Sequence, residues 1–549
     1  MKKWKKRLFI TLGVIAIIAI AGGIWFKYNW HRLPGIIASI KNPVSKNQPI
    51  EWQDGPTTRT SDKPNVIVIL VDDMGFNEVS SYGGGMANGQ VKTPNIDQLA
   101  KDGVLCTNGY ATTAVCSPSR ASLLTGRFST RFGYEYTPAA GMGKFIASMY
   151  KDRKPPLMFN QEIEDDLPPM AEMGLPTSEI TIAELLKPQG YHSVHIGKWH
   201  LGGSKEFKPI NHGFDESLWL ETGSLFMPEN DPNVVNAKLP FDPIDRFLWA
   251  NLPYAIQFND GGRFNPDGFL TDYLTNEAVK VIEKNKHQPF FLYLAYWAVH
   301  TPLQCLKSDY DQLDFIEDHA ERVQAAMVLA VDRGVGKIRQ ALKEHGVDDN
   351  TIIVFTSDNG APHYVGMPDL NQPYRGWKLT FFEGGVHIPY IVNYPKGIAG
   401  GQTYAGRVSN VDIFSTVGTL AGATLPTDRK MDGTNLLPYF TGEQEGEPDR
   451  PLFCKSGTLT FLIKDGWKLQ VDEQQNKKWL FDLNTDPMEQ NNLVETAKEK
   501  LAELSKLRQE LLVEQSDPIW KGAIKSPIII DRHLKEKYKE GDEYAYWTN

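Results

Sequence analysis

The stretch NVIVILV, residues 65 to 71, is a continuous β-branched run closed by Pro64 on one side and by two aspartates on the other. A strand with no polar face must be covered on both sides, which a parallel sheet wrapped by helices provides. Similar runs recur at 191–196, 289–296, 351–356 and 387–392. Helical patterns lie between them. TPNIDQLAKDG opens with Thr93 as cap and Pro94 at the first helical position and closes at Gly103, and EITIAELLKPQG precedes the run at 191. Residues 320–345 put Val331, Val335, Ile338 and Leu342 on one helical face. Strands alternating with helices predict an α/β doubly wound domain, which we place at 64–445. Beyond 446 the texture changes to short alternating stretches and one charged helix near 493–515, which predicts a small antiparallel sheet with a packed helix over 446–549.

The N-terminus carries a different signal. Lys2, Lys3, Lys5, Lys6 and Arg7 precede an uncharged apolar run from Leu8 to Phe26, close to the roughly 20 residues a membrane span requires. Two readings of residues 1–30 compete. One is a retained anchor with its basic end in the cytoplasm, favoured because the run continues through Ile24, Trp25 and Phe26. The other is a signal peptide ending at Ala19-Ile20-Ala21, an A-x-A cleavage pattern. Both put the bulk of the chain outside the cytoplasm, either on the membrane or exported to the periplasm or beyond. Residues 31–63, polar and broken by Pro and Gly, read as a tether.

A net charge of −9 argues against a nucleic-acid partner, which would need a basic surface. An anionic ligand would therefore need locally concentrated cations. Four cysteines, at 106, 116, 305 and 454, are too few and too scattered for a disulfide framework. Cys106 and Cys305 read as small buried hydrophobes. Segments 137–178 and 223–268, rich in Pro, Gly, Asn and aromatics, read as long functional loops or lids. Near the second, Trp219, Phe247, Trp249 and Tyr254 suit either sugar stacking or packing.

Ligands of open α/β sheets bind at the carboxyl ends of the strands, and here those ends are polar. Asp72-Asp73 follow the first run, Lys198 and His200 the 191 run, His300 the 289 run, and Asp358-Asn359-Gly360 the 351 run. Singly, each suits a cap, a turn or a solvated side chain. Together, Asp72, Asp73, Asp358 and the Asn359 amide form a hard oxygen set suited to Ca²⁺ or Mg²⁺. Arg120, Lys198 and Lys378, with His200 and His300, would surround it. A metal polarising an oxygen, with cations facing developing charge, suits transfer of a phosphate or sulfate ester.

CSPSRASLLTGR, residues 116–127, reads as a helix start with Ser117 as cap, Pro118 at the first position and Gly126 as the stop. The residues alone leave Cys116 open as packing, disulfide half, metal ligand or nucleophile. A group there would meet unpaired N–H donors and the positive end of the helix dipole. The stretch matches the signature C-x-P-S-R-x-x-x-L-x-T-G-R of the type I sulfatases at every fixed position. VDDMG, GKWHLGG, AVHTP, SDNGA and RGWKLTFFEGGVHIP follow the same family in order, and LFDLNTDPMEQNNL resembles its late strand and turn. The resemblance, running from about Pro64 to Pro395, implies an alkaline-phosphatase-like mixed sheet with a smaller C-terminal sheet, and a sulfuric ester hydrolase acting on an aryl or carbohydrate sulfate.

In such enzymes the motif cysteine is oxidised by a maturation enzyme to formylglycine, whose hydrate is the nucleophile. By resemblance, Asp72, Asp73, Asp358, Asn359 and residue 116 would hold the metal, usually Ca²⁺. Arg120 would hold the hydrate and His200 assist its deprotonation. Lys198, His300 and Lys378 would bind sulfate, with His300 or Lys378 protonating the leaving oxygen. Trp377 departs from the smaller residues common around that lysine and would reshape a pocket wall. A phosphoesterase or phosphonate monoester hydrolase on the same scaffold is the enzymatic alternative. A surface protein that binds sulfated glycans without turnover is the non-enzymatic one.

Overall fold

The computed structural model describes every residue except 1, 83, 140, 142, 151 and 152. Its centre is a ten-stranded mixed sheet. The fully buried strand Asn65–Val71 lies in the middle, parallel to Thr351–Ser357 on one side and Phe290–Ala295 on the other. His192–Lys198 and then Glu216–Leu220 continue the parallel half. On the far side His387–Asn393 runs antiparallel, followed by Val104–Tyr110 and Gln402–Ser409. The doubly wound reading holds, and two strands antiparallel to the central ones, His387–Asn393 on one side and Ile256–Phe258 near the other edge, make the sheet mixed.

Helices cover both faces. Ile67 and Ile69 point into one apolar cluster with Val331, Val335 and Ile338 of helix His319–Glu344, while Val66 and Val68 point into another with Leu123, Leu124 and Phe414. Burial of alternate side chains on opposite faces accounts for the unbroken apolar run from Val66 to Val71. The helix Pro94–Lys101 begins where Thr93 and Pro94 place it, although Thr93 makes no side-chain cap bond to the helix.

Past residue 446, strands Leu452–Ser456, Leu459–Lys464, Trp467–Asp472 and Lys477–Asp482 form an antiparallel sheet. Helix Lys498–Val513 packs on it through Leu504 and Leu511. A further sheet joins Ile524–Ile529 and Tyr544–Thr548 to the short strand Met158–Phe159, tying the chain's end to the first long loop. Neither long loop is structureless: helices Gly143–Met149 and Pro243–Asn251 lie within them.

Residues 31–63 are not a slack tether. Helix Leu33–Lys41 lies against helix Pro243–Asn251, with Gly35 N donating to Asn251 Oδ1 at 2.6 Å. Trp52 is buried and donates to Glu277 Oε2 at 2.8 Å. Before it, helix Lys2–Asn29 contains a stretch, Trp4–Gly23, long and apolar enough to cross a membrane.

Candidate active site

The register of the central strands sets the site. Val71 pairs with Ser357, so the next residues, Asp72 and Asp358, emerge side by side at the carboxyl edge. Asp73 N donates to Asp358 Oδ1 at 3.1 Å, and Met74 N to Ser357 Oγ at 3.0 Å, which locks the two strand ends together. Lys198, at the end of its own strand, reaches across to Asp72 Oδ2 at 2.6 Å. Gly360 lets the turn after Asn359 pass close to its neighbour, since a Cβ there would lie 1.9 Å from the Gly384 carbonyl.

Cys116 is the first residue of helix Cys116–Thr125, every side chain of which is buried. The cap is the extended Val115, not Ser117. The Ser117 hydroxyl instead bonds the Tyr134 hydroxyl at 2.8 Å and the His200 carbonyl at 2.6 Å, so it ties this helix to the loop after Lys198. Gly126 ends the helix in the left-handed region at φ 67°, as the sequence predicts. One turn in from Cys116, Arg120 is fully buried. Its Nε and Nη2 contact Asp358 Oδ2 at 2.9 and 2.8 Å, and Nη1 donates to the Lys198 carbonyl at 2.9 Å.

Lys378 Nζ lies 2.6 and 2.8 Å from the two Asp73 oxygens and 3.1 Å from Cys116 Sγ. Asn359 Nδ2 donates to Asp73 Oδ1 at 2.8 Å. His300 stacks on Trp297 with ring centroids 4.3 Å apart, donates from Nδ1 to the Thr301 carbonyl at 2.7 Å, and turns Nε2 toward Asp73 Oδ2 at 3.5 Å. Lys198 Nζ stands over the other part of the cluster, 4.7 Å from the Trp297 ring. All the predicted residues thus come from distant parts of the chain to one place, His200 included.

The charges are tightly coupled. Burial opposes ionisation of Asp73, but Lys378 and His300 outweigh it and hold that carboxyl below the usual carboxylate range. Burial, then the Asp72 charge, pushes Asp358 up to about 6. His200 is held well below the ordinary histidine value by burial and then by Lys198 and Arg120, so its ring is neutral. Burial, then Asp358 and Asp72, pushes the Cys116 thiol far up, which leaves no thiolate. Asp73, His200 and Leu379 adopt φ of 61°, 60° and 70°, conformations that cost non-glycine residues on the order of 1–3 kcal/mol each and that cluster at functional sites.

Two buried oxygens at the centre, Asp72 Oδ1 and Asn359 Oδ1, accept no hydrogen bond among the described residues. One ligand atom from each of Asp72, Asp73, Cys116 and Asp358 lies within 4.8 Å of the others. Carboxylates with an orphaned amide oxygen are the donor set of a hard divalent cation. Sequence reasoning missed Tyr364, whose hydroxyl donates to Asp73 Oδ2 at 3.0 Å, and Trp297, the platform for both Lys198 and His300. Their only signals were nearness to SDNGA and AVHTP. Trp377 corrects the reading in the other direction. It is buried against the C-terminal sheet, and its neighbours Lys378 and Leu379 line the cleft instead.

A family model for the sulfatases matches residues 64–423. The chain belongs to the sulfatase family. This sulfatase is 35% identical to human N-acetylgalactosamine-6-sulfatase over 407 residues, covering 72% of this chain and 68% of the relative. It is 30% identical to human steryl-sulfatase, with 80% of each chain covered. Among solved structures, Ps i-CgsB superposes with a TM-score of 0.69 at 30% identity, covering 83% of this chain and 94% of the other. A phosphonate monoester hydrolase of Agrobacterium radiobacter shares the fold, with a TM-score of 0.55 at 19% identity over 82% of this chain and 95% of the other. The enzyme hydrolyses sulfate esters, and its family in general employs a metal ion and a formylglycine.

Above the charged centre lies a cleft of about 770 Å³ reaching Lys378 and His300. Its walls come from both long loops, through Tyr150 and Arg153 of one and Asp242 and Leu248 of the other, and from strand Ile524–Ile529 with the loop after it. Trp219, Phe247, Trp249 and Tyr254 do not line this cleft. Trp219 and Trp249 are buried and Phe247 packs on Phe145, so these three pack within the protein, while the Tyr254 hydroxyl donates to the Pro266 carbonyl at 2.9 Å.

Proposed function

We propose that this sulfatase cleaves a carbohydrate or aryl sulfate with residue 116, as a formylglycine hydrate, for nucleophile. The observation that carries the reading is the mismatch at Cys116: a neutral thiol among buried carboxylates, where an oxygen would complete the metal's donor set. The cation, Ca²⁺ or alternatively Mg²⁺, would be held by Asp72, Asp73, Asp358 and Asn359 with residue 116, and when bound would offset the carboxylate charge and polarise the ester.

Arg120, fixed by Asp358, holds the hydrate's hydroxyls. Attack of one hydroxyl on sulfur breaks the bond to the alcohol oxygen, which takes a proton from His300 or Lys378, and the proton that the attacking hydroxyl gives up replaces the one donated. His200, neutral at pH 7, accepts the proton of the second hydroxyl as the carbon–oxygen bond to sulfate breaks, which restores the aldehyde and frees sulfate. Lys198, Lys378 and His300 face the sulfate oxygens. Similarity to an N-acetylgalactosamine-6-sulfatase supports a carbohydrate as the other half of the ester.

Cys116 is buried, so the maturation enzyme must reach it before the chain folds. We further propose that the N-terminal helix is a retained anchor that holds the catalytic unit outside the cytoplasm. Peptide mass spectrometry of residue 116 from the native host should show the aldehyde; an unmodified thiol would remove the mechanism and favour a glycan-binding role. A higher kcat/KM for a phosphate than for a sulfate ester of the same alcohol would favour the phosphoesterase alternative.

A further inference from the structure

The outer half of the cleft carries chemistry that ester hydrolysis does not use. Arg153 lies over the Tyr150 ring at 4.8 Å and donates to the Phe241 carbonyl at 2.7 Å, but forms no ion pair with any described residue. Lys154 and Lys537, on the same cleft, also lack a described carboxylate partner. By contrast, Arg532 is paired with Asp542 and Glu536, and Lys535 with Asp318. In a chain of net charge −9, unpaired cations gathered in one concave site form a local attractive field for anions.

Polar groups sit beside them. His363 and His533 line the cleft, and the Nδ1 atom of each is buried without a hydrogen-bond partner among the described residues, but His533 Nε2 lies 3.3 Å from Glu536 Oε1, so His363 is the ring left for a ligand. The two are fixed relative to one another, since Leu534 N donates to the His363 carbonyl at 3.0 Å. Burial, with Arg153 as the next cause, holds His363 down to about 3, so its ring is neutral and offers one N–H. The stacked guanidinium keeps a planar edge that can meet two oxygens of one anion at once.

We propose that Arg153, with Lys154, Lys537 and the His363 imidazole, forms a second oxyanion subsite, taking a sulfate or carboxylate on the sugar next to the one that is desulfated. Resting on the sulfate-ester reading, this makes the substrate an oligosaccharide with at least two anionic groups. His363 is followed by Tyr364, whose hydroxyl lies 3.3 Å from Lys378 Nζ, so one short stretch of chain links the two anion sites.

The test uses the full-length mature enzyme and three esters sharing the same scissile sulfate: a monosulfated monosaccharide, a disaccharide with a second sulfate, and one with a uronate carboxylate. The measured quantity is the ratio of kcat/KM for each disaccharide to that for the monosaccharide. The ratio for at least one disaccharide should exceed ten, carried by KM, and should fall about tenfold or more in Arg153→Ala and less in Arg153→Lys. Lys537→Glu, on an exposed loop where folding is not at stake, should lower the same ratio. Whichever disaccharide responds identifies the second group as sulfate or carboxylate. Ratios near one in the wild type, or unchanged in both the Arg153 and the Lys537 variants, would overturn the subsite. Release of sulfate from none of the three would instead count against the ester-hydrolase reading.

Discussion

At residue 116 the thiol is neither a metal ligand of the right softness nor an ionised nucleophile, and both failings vanish if the side chain carries oxygen. Cys116→Ala should therefore lower kcat by at least about a thousandfold, the scale of a lost nucleophile. The fold should survive, because the surrounding salt bridges do not involve sulfur; activity retained in the alanine variant would rule out residue 116 as nucleophile. Removing divalent cations with a chelator should abolish turnover, with recovery on adding Ca²⁺; activity that persists after exhaustive chelation would refute the metal. Glu78 offers a pH test away from the reacting groups. It accepts from Gly75 N at 2.6 Å and Gln324 Nε2 at 2.8 Å, yet burial pushes its carboxyl up to about 8 from 4.5. The folded state therefore keeps this proton where the unfolded chain has lost it, and stability should fall as pH rises from 4.5 toward 8, then level off. A Glu78→Gln variant should show a shallower loss of Tm between pH 5.5 and 8; an identical slope would exclude Glu78 as its source.

At the scale of elements, the loop carrying Lys378 is fastened to the C-terminal sheet by buried charge. Lys468 Nζ lies 2.7 Å from Glu383 Oε1 and 2.9 Å from Glu489 Oε1, and Glu383 also meets His387 at 2.7 Å and the Tyr110 hydroxyl at 2.8 Å. Lys468→Met leaves two buried carboxylates without their cation and should cost about 3–5 kcal/mol in chemical denaturation. A loss below about 1 kcal/mol would show the cluster relaxes without it. None of this was legible in the sequence, where Lys468 is one lysine in an alternating strand. The strands were legible because a run such as Asn65–Val71 has no polar alternative, and Asp72 and Asp358 were legible because they end such runs. Helix Leu33–Lys41 was not, because Pro34 and Gly35 read as breakers, while Pro at the start of a helix is tolerated and Gly35 permits close approach to Asn251. Trp377 misled for a related reason: adjacency to Lys378 in sequence says nothing about which of two neighbours faces the cleft.

Over the whole molecule, the same N-terminal segment couples the proposed anchor to the cleft. Helix Lys2–Asn29 leads through the turn Trp30–Arg32 into helix Leu33–Lys41, whose Ile36, Ile37 and Ile40 are exposed while Gly35 is bonded to Asn251. Asn251 also donates to the His31 carbonyl at 2.9 Å, and its helix, Pro243–Asn251, supplies Ile244 and Leu248 to the cleft wall. Two truncations separate anchoring from support. Deleting residues 1–29 should move the enzyme from the membrane fraction to the soluble fraction and leave kcat/KM for a soluble sulfate ester within about twofold, since the apolar stretch contributes nothing to the core. Deleting residues 1–41 also strips the partner from Asn251, so KM should rise while kcat changes less, the signature of a wall that positions substrate without touching the reacting atoms. If the full-length protein is already soluble and its mature chain begins at Gly22, the helix is a cleaved signal, and the difference between the two deletions then reports on the docked segment alone. Equal KM for both deletions would mean that the helix at 33–41 is carried by the enzyme rather than supporting it.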